Sequence, residues 1–328
     1  MSRPMSQRLP TLLNLCRSCN PPRRLFATSQ LRQQQPPGED DRTTHFGFET
    51  VAEAQKEAKG KHKASSLPSL VTHALIYPTI VGAVFSSVAS SYDTMNDLMS
   101  LGIHRLWKDY FVRSLNPGNR TSETGWNILD VAGGTGDIAF RMLDHATNVN
   151  GDLKTKVTIA DINGDMLAEG QKRALETPYG NTSRLSFVQG NAESMPSLES
   201  NSFDLYTVSF GIRNFTNKDA AIREAYRILK PGGVFAVLEF SHVDSALFNA
   251  VYKRWSFGAI PLIGQLVAGD RDSYQYLVES IERHPPQKEF KDMIQAAGFI
   301  TPGKGYENLT GGIASIHRGV KPLKEQQL

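Results

Sequence analysis

Apolar positions change their spacing twice along the 328-residue chain. Residues 39–66 are polar and rich in Lys and Glu, which reads as a loose arm with some helix. Between 87 and 115, Val88, Tyr92, Met95, Leu98, Met99 and Leu106 recur at helical intervals, predicting two short helices broken around Leu101 and Gly102. From Trp126 the texture changes to short apolar runs alternating with amphipathic stretches. The runs predict strands at 127–133, 156–161, 185–190, 203–210 and 234–240, and the stretches predict helices at 135–146, 163–176 and 217–230. The PGG after the last of these stops it. Strands alternating with helices imply an α/β fold, a mostly parallel sheet with helices on both faces. Between 244 and 285 the alternation lapses into aromatics, prolines and charges, the texture of a lid over the sheet. It resumes with a helix over 287–299 and a last strand over 311–320. There is no internal repeat.

Charge changes this picture at the amino end. Residues 1–38 hold six Arg and no acid, and Glu39 is the first carboxylate. That composition, with several serines, is that of a mitochondrial transit peptide, and RRLFATS (23–29) places a cleavage near Phe26. Both cysteines, Cys16 and Cys19, fall inside this segment, so the mature chain has neither disulfides nor a thiolate metal site, and no metal is expected. The remaining 30 Lys and Arg face 33 acids, so the body is mildly acidic and lacks the basic domain of a nucleic-acid binder. No apolar run reaches the roughly 20 residues that span a bilayer. The longest, over 70–85, is interrupted by His73 and Pro78.

The chemistry concentrates at LDVAGGTGD (129–137), where a strand runs into Gly133, Gly134, Thr135 and Gly136. In an open parallel sheet, ligands sit beyond the carboxyl ends of strands at the switch point, and glycine lets the backbone approach them. Asp161, ending the next strand, suits a ribose diol, because a carboxylate accepts from both hydroxyls. Up to here NAD and S-adenosylmethionine fit equally. Asp137 separates them. A pyrophosphate favours a helix N-terminus without added negative charge, whereas an acid there suits a sulfonium and an amino group. Asn191 and Ala192, after the third strand, are placed to meet an adenine edge, and Ser209 to close the pocket. S-adenosylmethionine is therefore the expected cofactor, and a nicotinamide oxidoreductase the alternative.

TTHFGFETV (43–51), YDTMNDLMSLGIHRLW (92–107), LDVAGGTGD, SFGIRNF (209–215), YRILKPGGVFAVLEFS (226–241) and DSYQYLVESI (272–281) resemble the UbiE-type quinone C-methyltransferases over about 43–320. The stretch from Tyr92 to Trp107 is much more specific than the glycine loop. Residues 60–80 depart from the family as an apolar insertion without an assigned function. The resemblance implies a class I S-adenosylmethionine-dependent methyltransferase. Its sheet is Rossmann-like and seven-stranded, inside a domain of 87–320 with an N-terminal helical cap (87–115), followed by a tail at 321–328. It implies methylation of a ring carbon of a polyprenyl benzoquinol in ubiquinone synthesis. It also implies a homodimer, membership of a multi-subunit coenzyme Q biosynthetic complex, and peripheral attachment to the matrix side of the mitochondrial inner membrane. A methyltransferase fold that only scaffolds such a complex is the second alternative.

A neutral phenol is a weak carbon nucleophile, and with a pKa near 10 it supplies little phenolate at neutral pH. The site must favour the phenolate. Arg213 and Asn214, just past the fourth strand, are the main catalytic candidates, Arg213 to stabilise charge and Asn214 to hold a proton-accepting water. Tyr92 is expected near the substrate or the methionine end, His104 as a base, and Trp107 as core. Glu239 and His242, ending the fifth strand, are in reserve. The segment 247–267 supplies apolar groups suited to a polyprenyl tail.

Overall fold

The computed structural model describes residues 100–119, 124–243 and 271–323, with isolated positions at 97, 245, 254, 255 and 258, and backbone alone at 271–275 and 277. The expected presequence, arm, insertion, Tyr92 and most of the lid lie outside the described residues. Seven strands are β1 (Asn127–Val131), β2 (Lys156–Asp161), β3 (Leu185–Gln189), β4 (Phe203–Ser209), β5 (Leu229–Phe240), β6 (Tyr306–Leu309) and β7 (Ala314–Val320). Among the described residues the bounded α-helices are α1 (His104–Leu115), α2 (Asp137–Asn148), α3 (Gly164–Leu175), α4 (Lys218–Ile228), α5 (Arg271–Glu282) and α6 (Gln287–Ala296).

The sheet runs β3-β2-β1-β4-β5-β7-β6. Its first five strands are parallel, and β7 and β6 close it antiparallel. The chain leaves β1 toward β2 on one side and returns through β4 on the other. The end of β1 is therefore a topological switch point, where an open sheet leaves a crevice for ligand. Alternation along β1 sends Ile128 into one core, with Trp107, Phe111, Met142 and Ile159. Its neighbour Leu129 enters the other, with Val208, Ile222, Phe235 and Phe290. A strand buried on both faces gives the continuous apolar run seen in the sequence.

Local chemistry sets the helix starts that matter to the site. Gly136 (φ 85°) precedes α2, and a Cβ there would sit 2.7 Å from the Phe140 ring. Asn163 caps α3 by accepting from the N–H groups of Asp165 and Met166, and Asn217 caps α4 by accepting from Ala220. The break before α1 falls where expected, with both Leu101 and Gly102 at positive φ.

Three boundaries differ from the pattern. The α2 helix starts at Asp137, two residues late, because Thr135 and Gly136 still belong to the loop. β5 starts at Leu229 and takes up the LKPGG segment that reads as a helix stop, with a register shift opposite Phe203 and Leu205. The four-residue β6 carries no strand signal of its own, and β7 begins after a 3-10 turn at Thr310–Gly312.

Candidate active site

A cavity of about 440 Å³ opens beyond the carboxyl ends of β1, β2 and β4. Its size is that of a small-molecule site. It is lined by Gly133, Gly134 and Thr135 of the glycine loop, Asp161 at the end of β2, Asn191 and Ala192 after β3, and Ser209 at the end of β4. Seven of the eight residues expected to hold cofactor thus share one cavity. The eighth, Gly136, is off the wall, where its positive φ shapes the loop.

The Asp161 carboxylate accepts from the Gly134 N–H (3.0 Å) and the Asn163 N–H (2.9 Å), so the glycine loop and the start of α3 aim it together. Burial pushes its pKa up to about 6, against the lowering effect of these backbone bonds. Each oxygen keeps acceptor capacity for a hydroxyl. The Ser209 hydroxyl is buried without a partner among the described residues, so it is available to a ligand. The Asn191 side chain accepts from the Glu193 N–H, which fixes the turn after β3. These groups fit an adenosine: a diol acceptor, an open backbone loop, and a half-apolar slot with Met166 and Ala192.

Asp137 lies on the wall but is not the lone acid the sequence suggested. Its carboxylate binds Lys108 (2.8 Å) and Arg141 (2.9 Å), and Arg141 also binds Asp109. Burial raises the Asp137 pKa, yet the two cations outweigh it and the net shift is downward. Its charge is thus balanced by two cations, so it is not the free acid that would by itself select a sulfonium.

The catalytic candidates divide. Asn214 is on the wall and receives a 3.4 Å contact from the Tyr276 hydroxyl. Arg213 is not. Its side chain is buried and bound to Glu239 (2.7 Å), the Phe210 carbonyl (2.6 Å) and Ser280 (3.3 Å). The expected guanidinium at the ring is therefore a buried brace behind the turn, because Glu239 at the end of β5 claims it. Glu239, held in reserve, is the other half of that brace, and His242 donates to the His284 carbonyl. His104 is buried off the wall, 3.3 Å from Asp97, and desolvation with the Lys108 charge lowers its pKa to about 4. It is therefore neutral, and the base expected in the cavity is a packed histidine. Trp107 is core, as expected, its indole N–H donating to Thr310.

Three charged wall residues lie outside the sequence expectation, Lys108, Asp130 and Glu193. Lys108 is the only basic side chain on the wall among the described residues. Asp130, inside the quoted loop motif, is fully buried, accepts from Thr207 (2.8 Å), and has its pKa pushed up by burial to about 7. Only its place in the motif could have flagged it. Nothing in sequence flagged Lys108, since its partner comes from another helix.

Comparison with known proteins agrees with this geometry. A relative from Schizosaccharomyces pombe, "2-methoxy-6-polyprenyl-1,4-benzoquinol methylase, mitochondrial", is 52% identical over 85% of this chain and 84% of its own. A relative of the same name from Dictyostelium discoideum is 47% identical over 86% and 87%. The "Ubiquinone/menaquinone biosynthesis C-methyltransferase UbiE" of Brucella suis is 49% identical over 84% and 90%. The seven-stranded sheet with its antiparallel β7 is the class I methyltransferase fold, and neither alternative function gains support. With the profile of the family matched across residues 75–321, the chain belongs to the ubiE/COQ5 methyltransferase family and is an S-adenosylmethionine-dependent methyltransferase.

Proposed function

We propose that this enzyme moves the methyl group of S-adenosylmethionine to a ring carbon of a 2-methoxy-6-polyprenyl-1,4-benzoquinol, a step of ubiquinone synthesis carried out in mitochondria. The observation that carries the reading is the Asp161 carboxylate, held by the Gly134 N–H on the wall of a cavity also lined by Asn191 and Ala192. The substrate follows from the names of relatives about half identical over most of the chain. The location follows from the mitochondrial relatives and the acid-free, Arg-rich start.

S-adenosylmethionine, when bound, supplies an electrophilic methyl. The chain's residues hold the adenosine (Asp161, Asn191, Ala192), keep the backbone close (Gly133, Gly134, Thr135), and offer a hydroxyl at Ser209. Asn214 meets the quinol hydroxyl or its water, assisting loss of the proton that makes the ring carbon nucleophilic. Arg213 acts as a positioning residue, holding the Gly211–Phe215 turn through Glu239 and the Phe210 carbonyl. Tyr92, from the cap, is a further candidate toward the substrate or the methionine end, and His104 serves as packed support rather than base. Association with the matrix side of the inner membrane, a homodimer and a place in a biosynthetic complex belong to the same proposal.

The test is transfer of labelled methyl from S-adenosylmethionine to a short-tailed methoxybenzoquinol by the purified chain, with the product's label located by NMR. Label on a ring carbon, lost in Asp161→Ala and reduced in turnover by Asn214→Ala at unchanged cofactor affinity, is expected. Label on oxygen, or no transfer to any quinol, would refute the substrate assignment.

A further inference from the structure

The cavity wall carries a pair of opposite charges in contact. Lys108 comes from α1 and Asp137 from the first turn of α2, their charged groups 2.8 Å apart, and both line the wall. The Lys108 side chain is only 6% exposed, although a lysine is rarely buried without a reason. Arg141 holds the other oxygen of Asp137, so Asp137 keeps a partner if Lys108 turns away. The wall's remaining charged groups are Asp130, Asp161 and Glu193, all acids. Any anionic ligand group in this cavity has Lys108 as its one basic partner among the described residues.

S-adenosylmethionine carries one such group. With the ribose at Asp161 and the adenine at Asn191 and Ala192, the amino-acid end runs away from β2 and β3, past the glycine loop, toward α1 and α2. That end is a zwitterion, a carboxylate next to an ammonium. We propose that Lys108 and Asp137 together hold the amino-acid end of the cofactor, Lys108 binding its carboxylate and Asp137 its ammonium, in exchange for part of the ion pair they make with each other. This rests on the cofactor reading above and adds a recognition element to it. The exchange replaces a pair of opposite charges by four alternating ones. Such a site discriminates between ligands sharing an adenosine: one with a zwitterionic end gains, one without it does not.

Calorimetry on the full chain tests this with two probes, S-adenosylhomocysteine and 5′-methylthioadenosine. They share the adenosine thioether, and the second lacks the amino-acid end. Lys108→Met is expected to weaken S-adenosylhomocysteine about ten- to a hundredfold, the usual range for a charged hydrogen bond, and to leave 5′-methylthioadenosine unchanged. Lys108→Arg, which keeps the charge, retains most of the preference, and Asp137→Asn narrows it. If Lys108→Met does not fold, as judged by its unfolding midpoint, the Asp137→Asn ratio decides. A wild-type ratio in Asp137→Asn, unchanged S-adenosylhomocysteine binding in Lys108→Met, or an equal loss for both probes overturns the assignment. Failure of both probes to bind the wild type would instead refute the cofactor site itself.

Discussion

At the scale of single residues, the cavity holds two carboxyls whose environments push them the same way. Burial raises Asp130 to about 7 and Asp161 to about 6. Each binds a proton more tightly folded than unfolded, from the ordinary carboxylate range near 4 up to its folded value. Folded chains therefore hold more protons than unfolded ones in that window, and linkage makes stability fall as pH rises through it. The buried histidines His104 and His317, lowered to about 4 by desolvation, pull stability the other way over the same range, so the carboxyl effect is read as a difference between variants. In Asp130→Asn the melting temperature should gain relative to wild type as pH rises from 5 to 8, and a constant difference between the two across that range would show that Asp130 is not a source of the pH dependence. Cofactor binding runs the other way, because Asp161 accepts the ribose hydroxyls as a carboxylate. S-adenosylhomocysteine affinity should drop as pH falls through about 6. Asp161→Asn should bind it tenfold or more weakly and lose that pH dependence, which titration calorimetry at several pH values reads directly.

Between elements, the joints decide what sequence could show. β2 was legible to the residue because Val157, Ile159 and Ala160 give a clean apolar run ending in an acid. The start of β5 was not, since a Pro-Gly-Gly reads as punctuation and only pairing with β4 makes it strand. Here Lys321, just past β7, closes the joint. Its ammonium donates to the Tyr226 carbonyl (2.7 Å), the Leu229 carbonyl (2.8 Å) and Asn201 (2.8 Å), and sits 4.7 Å from the Tyr226 ring. Helix ends leave carbonyls without intrahelical partners, and this lysine satisfies one at the end of α4 and another where β5 begins. Lys321→Met strands those buried acceptors, and a loss of about 2–3 kcal/mol is expected in urea unfolding, with cofactor affinity unchanged. A loss below about 0.5 kcal/mol, the ordinary effect of surface changes, would mean that water replaces the ammonium there.

Across the whole molecule, the glycine loop, Asp161 and Asn191–Ala192 were readable because each sits at the end of a strand the pattern finds. The roles of Arg213 and Lys108 were not, because each depends on a partner 26 or 29 residues away, delivered by packing. Arg213 and Glu239 join three parts: the turn that carries Phe210 and Asn214 to the cavity, the end of β5, and α5 through Ser280. Both side chains are essentially without solvent access. Removing one partner leaves a buried charge, which typically costs about 3–5 kcal/mol, whereas replacing both by apolar groups of similar size is often neutral. Glu239→Gln should therefore lower the unfolding free energy strongly, and Arg213→Met with Glu239→Leu should recover most of it. Turnover separates a brace from mere ballast. The double variant should fold, bind S-adenosylhomocysteine normally, and still transfer methyl slowly, because the turn presenting Asn214 has lost the Phe210 carbonyl contact and its tie to β5. Wild-type turnover in a stable double variant would reduce the pair to a packing feature. If the single Arg213→Met variant stayed fully stable instead, a strong ion pair in the buried interior would itself be in doubt.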